Sequence, residues 1–440
     1  MNTTHTQAKE SPGSRPWHHV VIFLLSCAVV VWRRPDAILH AQFYAEDGRV
    51  WIADAYNLGS FHALLRTWAN CFQTMPRLGA SLALLVPLAY APLVLNSLAV
   101  AFQALPANLL LSSRSNGWGS LRFRILLTAI YLALPNSAEV SAGITDAQWP
   151  LALSAFLVIA ARASQSAAGM AFDLAIVLLC GFTGPFCILL LPIALLLAWT
   201  RRERQHWVLT GALAMTSVVQ LVSLVIVKPS GDPFGHREAV MGASAAWFTR
   251  ILAGQIYLAD LVGWNELALN SGQGCFIFLV FVAIAGTVIV SACFLKSKLE
   301  MRLFLLFSGM LLMASLISPT MSPPAGVSVW QKLAGSPAIR YWFFPTLAFA
   351  WTLLWCLHSP LKALRIVSAV LLCVMSIGVC RDWSHPAFPD KQFEEYAKRF
   401  ESTPAGAVMV IPENPEGWNL RLVKHAAETD MERRSEDHAD

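Results

Sequence analysis

Residues 171–200 read AFDLAIVLLCGFTGPFCILLLPIALLLAWT, an apolar run of 30 residues broken at Gly181-Phe182-Thr183-Gly184-Pro185. Glycine and proline at that spacing stop one helix and start another. The run therefore predicts two short apolar helices joined by a turn. Neither half reaches the ~20 residues that cross a full hydrocarbon core, so these helices need neighbours to shelter their ends. Further apolar runs at 17–32, 78–112, 125–134, 149–161, 207–227, 275–295, 303–317, 341–357 and 366–380 repeat the pattern. In a bilayer they must be helices, because the backbone has no water to bond with. With 171–200 counted twice, and 78–112 read as one span kinked by Pro87, Pro92 and Pro106, about eleven spans are expected.

Composition agrees with this all-α polytopic membrane reading. Of 440 residues, 56% are hydrophobic and 13% charged, against about a quarter charged in a soluble domain. Mean hydropathy is +0.54. Lys plus Arg exceed Asp plus Glu by only 32 to 27, and the basic residues are scattered, which argues against a nucleic-acid partner. The nine cysteines form no CxxC pair and lie mostly in apolar runs, so neither a disulfide scaffold nor a zinc module is expected. The run from Trp17 to Trp32 lacks a small-residue cleavage site and reads as a retained span.

Four parts follow: a cytoplasmic N-terminal tail at 1–16, a transmembrane domain at 17–380 with its first outer loop at about 33–77, a small extramembrane segment on the outer side at 381–425, and a disordered tail at 426–440. In the last segment but one, Phe393 to Phe400 reads as a helix. Ala407 to Ile411 and Trp418 to Val423 read as a hairpin around Asn414-Pro415-Glu416-Gly417.

Basic residues orient the chain. The loops at 113–124, 162–170, 201–206, 296–302 and 359–365 hold 12 Lys/Arg in 41 residues. Those at 33–77, 135–147, 228–273 and 318–340 hold 10 in 127. The first set is therefore cytoplasmic, although Arg33 and Arg34 sit at the wrong end of the first span. The acids divide the other way, with Glu203 and Glu300 inside and Asp36, Glu46, Asp47, Asp54, Glu139, Asp146, Asp232, Glu238, Asp260 and Glu266 outside. Acid–base chemistry is thus expected on the outer face.

Three outer segments carry candidate chemistry. In Phe43-Tyr44-Ala45-Glu46-Asp47-Gly48, paired acids follow a membrane helix. Partial burial could make one of them a base toward a sugar hydroxyl, or Asp47 could cap a helix through Trp51 and Ala55. In the segment from Pro135 to Trp149, Glu139 reads as a sugar ligand or a residue orienting the base, and Asp146 as the cap of the next helix. Near the late loop, Lys332, Arg340 and Tyr341 head an apolar helix, where a guanidinium either holds a lipid phosphate or anchors the helix at the interface.

These pieces, in this order, resemble the GT-C superfamily of membrane glycosyltransferases, which includes protein O-mannosyltransferases and the aminoarabinose transferase of lipid A. The likeness rests on Glu46-Asp47, the many short spans, and Arg340-Tyr341 followed by Pro345. Ala45-Glu46-Asp47-Gly48, Met75-Pro76-Arg77-Leu78, Asn136 to Glu139 with Ala147-Gln148-Trp149, Thr183-Gly184-Pro185 and Ile411 to Trp418 look like segments of uncharacterised bacterial members.

The resemblance implies a GT-C-like bundle in a bacterial inner membrane, performing an inverting sugar transfer on its outer face. The donor would be a polyprenyl-phosphate sugar and the acceptor a cell-envelope glycan or lipid. Asp47 would deprotonate the acceptor, with Glu46 as the alternative base. Glu46, Glu139, Gln148 and Tyr341 would bind substrate, and Arg340 with Arg77 or Lys332 would steady the leaving phosphate. No cofactor is implied and no obligatory metal is expected. A lipid-borne donor also fits the lack of a Walker A or dinucleotide motif and the shortness of the inner loops. The rivals are a polymerase or ligase acting on lipid-linked sugars and a transporter or flippase. The latter would be expected to place ionisable groups inside its spans.

Overall fold

A computed structural model describes residues 16–226, 240–264, 275–321 and 323–425. The tail up to residue 15, the stretch 426–440, and Asp232, Glu238 and Glu266 lie outside them. The chain is mostly helical. Its principal helices are α1 (Pro16–Arg33), α2 (Ala91–Leu111), α3 (Leu121–Leu132), α4 (Gln148–Ala160), α5 (Ala167–Gly181), α6 (Phe186–Arg201), α7 (Arg204–Ile226), α8 (Phe276–Lys296), α9 (Leu299–Ile317), α10 (Phe343–Cys356) and α11 (Lys362–Arg381). Five are long and apolar enough to cross a membrane: Leu88–Leu111, which includes α2, together with α7, α8, α9 and α11. Along α8, Ile277, Phe281, Ile284 and Val288 share one face and are 59–79% exposed, an outward apolar stripe suited to lipid rather than water.

The shorter helices occupy the interior. Helix α4 has 13 residues, about 20 Å at 1.5 Å per residue. From Trp149 to Ala160 it is buried on every side, and α10 is similarly enclosed. A stack of aromatic rings joins these two helices to α9. Phe156 lies parallel to Phe307 at 5.6 Å, and Phe304 meets Trp351 at 4.5 Å. Trp351 Nε1 also donates to the Leu127 carbonyl on α3 at 3.1 Å.

The break at Gly181–Pro185 is a tight turn between α5 and α6, with Gly184 at φ +75°. Residues 78–112 contain a single long helix. The short helix Thr74–Ala83 precedes it, and Pro92 falls in its first turn, where no amide bond is lost.

The two ends of the bundle differ. Arg114 grips the buried Asp173 with both guanidinium arms, and Gln205 donates to the same carboxylate at 2.5 Å. Arg201 reaches the Ala160 and Ala161 carbonyls and Glu300 at that end. At the opposite end Arg33 and Arg34 are buried, at 2% and 4% exposure. Arg33 donates to the carbonyls of Leu132, Leu134, Asp382 and Trp383 at 2.9–3.2 Å, and Arg34 to that of Ser141 at 2.9 Å. These two arginines bind helix and loop termini together, which explains why they sit where a count of free charges does not expect them.

The 381–425 segment is no separate unit. Its helix α12 (Phe393–Glu401) and its antiparallel strands β1 (Val408–Glu413) and β2 (Trp418–Val423) match the expected helix and hairpin. They pack on residues 43–57: Tyr44 pairs with Asn414, and Asn57 bonds to the Arg421 carbonyl and the Val423 amide, each at 2.9 Å.

Candidate functional site

The acidic pair is aimed inward by its backbone. Ala45 takes φ +55°, a left-handed conformation that costs a non-glycine residue roughly 1–2 kcal/mol. Its amide donates to the Asn414 carbonyl at 2.5 Å, which holds the turn. Asp47 then opens a π-helical turn, Asp47–Ile52, and is 1% exposed. Its Oδ1 accepts the Thr145 hydroxyl at 2.7 Å, and Thr145 Oγ1 in turn accepts Trp51 Nε1–H at 2.8 Å. Asp47 is therefore not a helix cap. It is a buried carboxylate tied to the second acidic segment, with Glu46 half-buried beside it.

Arg340 organises the rest. Glu139 accepts from Arg340 Nη1 at 2.7 Å and from the Arg340 amide at 2.6 Å, so both of its oxygens are occupied. Glu139, expected as a sugar ligand or as a residue orienting the base, is here a clamp on Arg340. Arg340 Nε lies 3.8 Å from Asp146 Oδ1, and Nη2 donates to the Thr320 carbonyl at 3.2 Å. Asp146, expected to cap the next helix, does not. Helix α4 starts with Ala147 at its cap and has no side-chain capping bond, while Asp146 is buried against the guanidinium. Tyr341 is not free for substrate either, because its hydroxyl accepts from the Thr320 amide at 2.6 Å and donates to the Thr320 carbonyl at 3.1 Å.

The acids act on one another. Burial pushes the Asp47 carboxyl up to about 7, an effect the Thr145 hydrogen bond opposes and the Glu46 charge reinforces. Asp146 is raised well above the carboxylate range by burial and by Glu139, with Arg340 pulling the other way. A carboxyl poised near neutrality within reach of a second acidic segment can hold or release a proton at physiological pH.

Gln148 stands between two quoted motifs. Its Nε2 donates to the Thr145 carbonyl at 3.1 Å, and a Cβ at Gly184 would meet its Oε1 at 2.7 Å. Met75 and Thr183 also touch directly, the Met75 amide donating to the Thr183 hydroxyl at 3.0 Å. Arg77 is turned into the protein. It is 1% exposed, paired with Asp54 at 3.0 Å, and lies 5.1 Å from the Trp51 ring. Lys332 is half-buried on the separate helix Val329–Ala334 and makes no ion pair among the described residues.

Sequence reasoning missed Thr145, the pairing role of Asp146, and Glu413, which enters from the tail. A signal for Glu413 existed. It alternates with Ile411 along a strand whose inward positions are otherwise apolar. Among the described residues, no group of three or more His, Cys, Asp or Glu side chains is arranged to hold a metal ion. In comparisons with known proteins, no protein-family model and no curated protein matches this chain.

Proposed function

We propose that the chain is an inverting membrane glycosyltransferase of GT-C type. It moves a sugar from a polyprenyl-phosphate donor to a glycan or lipid acceptor. The observation that carries this reading is the meeting of three segments distant in sequence at the acid-rich end of an apolar bundle: Glu46-Asp47, Glu139 with Asp146, and Arg340. In the reaction Asp47 takes the acceptor hydroxyl proton as the new sugar–oxygen bond forms. The sugar–phosphate bond breaks, and the lipid phosphate leaves with the electron pair. Arg340 offers that phosphate the second N–H of Nη2, whose other N–H holds the Thr320 carbonyl, while Glu139 and Asp146 fix the guanidinium.

A transport reading gains little from Asp173. That buried acid is held by Arg114 and Gln205 and does not stand free along a pathway. The eleven helices are read as crossings of a bacterial inner membrane, with the N-terminus inside and the acid cluster outside. Reporter fusions at Arg202 and at the C-terminal tail should then give opposite compartment signals, and matching signals would refute the orientation. The activity itself is tested by incubating the purified protein, in lipid, with radiolabelled polyprenyl-phosphate sugars and an envelope extract. Label should pass from the lipid to an acceptor. The absence of donor binding across hexose and pentose donors would count against the reading.

A further inference from the structure

The C-terminal hairpin carries a charge where its own pattern calls for an apolar side chain. Inward positions on β1 and β2 are Ile411, Leu420 and Leu422, each fully buried, and the next inward position on β1 is Glu413, 2% exposed. Neither Glu413 oxygen accepts a hydrogen bond, although the Gly48 and Arg49 amides lie close enough to favour its charge. Its carboxylate occupies the space over Gly48, where any Cβ would collide with it and would sit 3.0 Å from the Phe43 ring. That contact accounts for glycine directly after the acidic pair.

The placement is built from both sides. The Asn414 amide donates to the Phe43 carbonyl at 3.3 Å, Phe43 meets Phe393 edge to face at 4.7 Å, and Tyr44 stacks on Phe388 at 4.7 Å. An ionised carboxylate buried there, with the Gly48 and Arg49 amides near it but neither in bonding geometry, is costly, and the neutral acid is the state such a site favours.

We propose that Glu413 is part of the acid site as a positioning residue for Asp47, holding a proton beside it so that, of these two acids, only Asp47 carries a negative charge when the hairpin is docked. The inference rests on the reading of Asp47 as base. The charged groups acting on Glu413 are Asp47 and Arg49, both from the first segment, and its strand partner Trp418 brings none. Burial first and the Asp47 charge second push the Glu413 carboxyl up to about 9, against the pull of Arg49 and the two amides. Asp47 therefore ionises first and Glu413 keeps its proton through neutral pH. In the transfer step the acceptor proton goes to Asp47, and Glu413 stays neutral throughout.

Infrared titration of the purified full-length protein reads this directly, because a protonated carboxyl has its own stretching band. Wild type at pH 7 should show a protonated-carboxyl band that is missing from Glu413→Gln and disappears in wild type near pH 9. In Asp47→Asn the same band should vanish at a lower pH, by on the order of one unit, since the neighbouring charge is gone. Identical bands in wild type and Glu413→Gln at pH 7 would overturn the inference. So would a Glu413 midpoint unmoved by Asp47→Asn. If the bands behave as expected but Asp47→Asn still transfers sugar, the pairing stands and the assignment of Asp47 as base fails.

Discussion

Replacing Asp47 with Asn should lower turnover by roughly 100-fold or more, the loss typical of removing a general base, with donor binding retained. The amide preserves volume, and its oxygen can still accept the Thr145 hydroxyl, so the link from Trp51 through Thr145 survives. Only the capacity to take a proton is lost. Were Asp47 merely an anchor for the second acidic segment, the substitution should be nearly silent. Single-turnover transfer by folded, membrane-inserted Asp47→Asn and Glu46→Gln proteins distinguishes the cases, and near-normal rates in both would exclude a base in the first segment.

The same residue sets a pH dependence whose sign can be worked out. Burial raises the Asp47 carboxyl from 3.8 to about 7 in the folded protein. Ionising it therefore opposes folding. Its contribution to stability is greatest below the ordinary carboxylate range and is lost as pH climbs toward 7. Activity runs the other way, rising through the same window as the base form appears. In Asp47→Asn both slopes should flatten together.

The helices were legible because the bilayer leaves an apolar chain few alternatives. The break at Gly181–Pro185 follows from glycine and proline chemistry, whereas 78–112, read as one kinked span, is shared between the short helix Thr74–Ala83 and the long helix that begins after Pro87. The positions of the acids were legible too, but their partners were not. Asp146 lies directly before a helix, where a cap is the common use, yet Arg340, almost two hundred residues away in sequence, claims it. Arg33 and Arg34 looked misplaced because counting charges treats every arginine as hydrated, whereas these two are spent on buried carbonyls. Glu413's alternation with Ile411 marks an inward acid but not its neighbour. Its meaning depends on which surface the hairpin docks against, and no local pattern in the tail encodes that surface.

Arg340→Ala should lower stability by on the order of 3 kcal/mol, the effect of removing one partner from a largely buried ion pair. It takes the guanidinium from Glu139 Oε1, leaving that carboxylate only the backbone amide of residue 340 on Oε2, and leaves Asp146 without its nearby cation. It should also weaken donor binding by about 10- to 100-fold, since a charge-assisted contact contributes about 1.5–3 kcal/mol. The two losses have different remedies. Glu139→Gln, added to Arg340→Ala, removes one stranded charge and should restore part of the stability, read by unfolding in detergent, without restoring donor affinity. Arg340→Lys should recover part of the affinity but not the two-armed geometry that grips Glu139 and Thr320. If Arg340→Ala binds the lipid-phosphate sugar as tightly as wild type, the guanidinium is a structural hub alone. If Glu139→Gln rescues affinity along with stability, Arg340 reaches the donor only through the fold of the second acidic segment. Rescue of stability without affinity is the result expected of a guanidinium with one arm fixed by Glu139 and the other, held by the Thr320 carbonyl through one N–H, offering its second N–H to a phosphate.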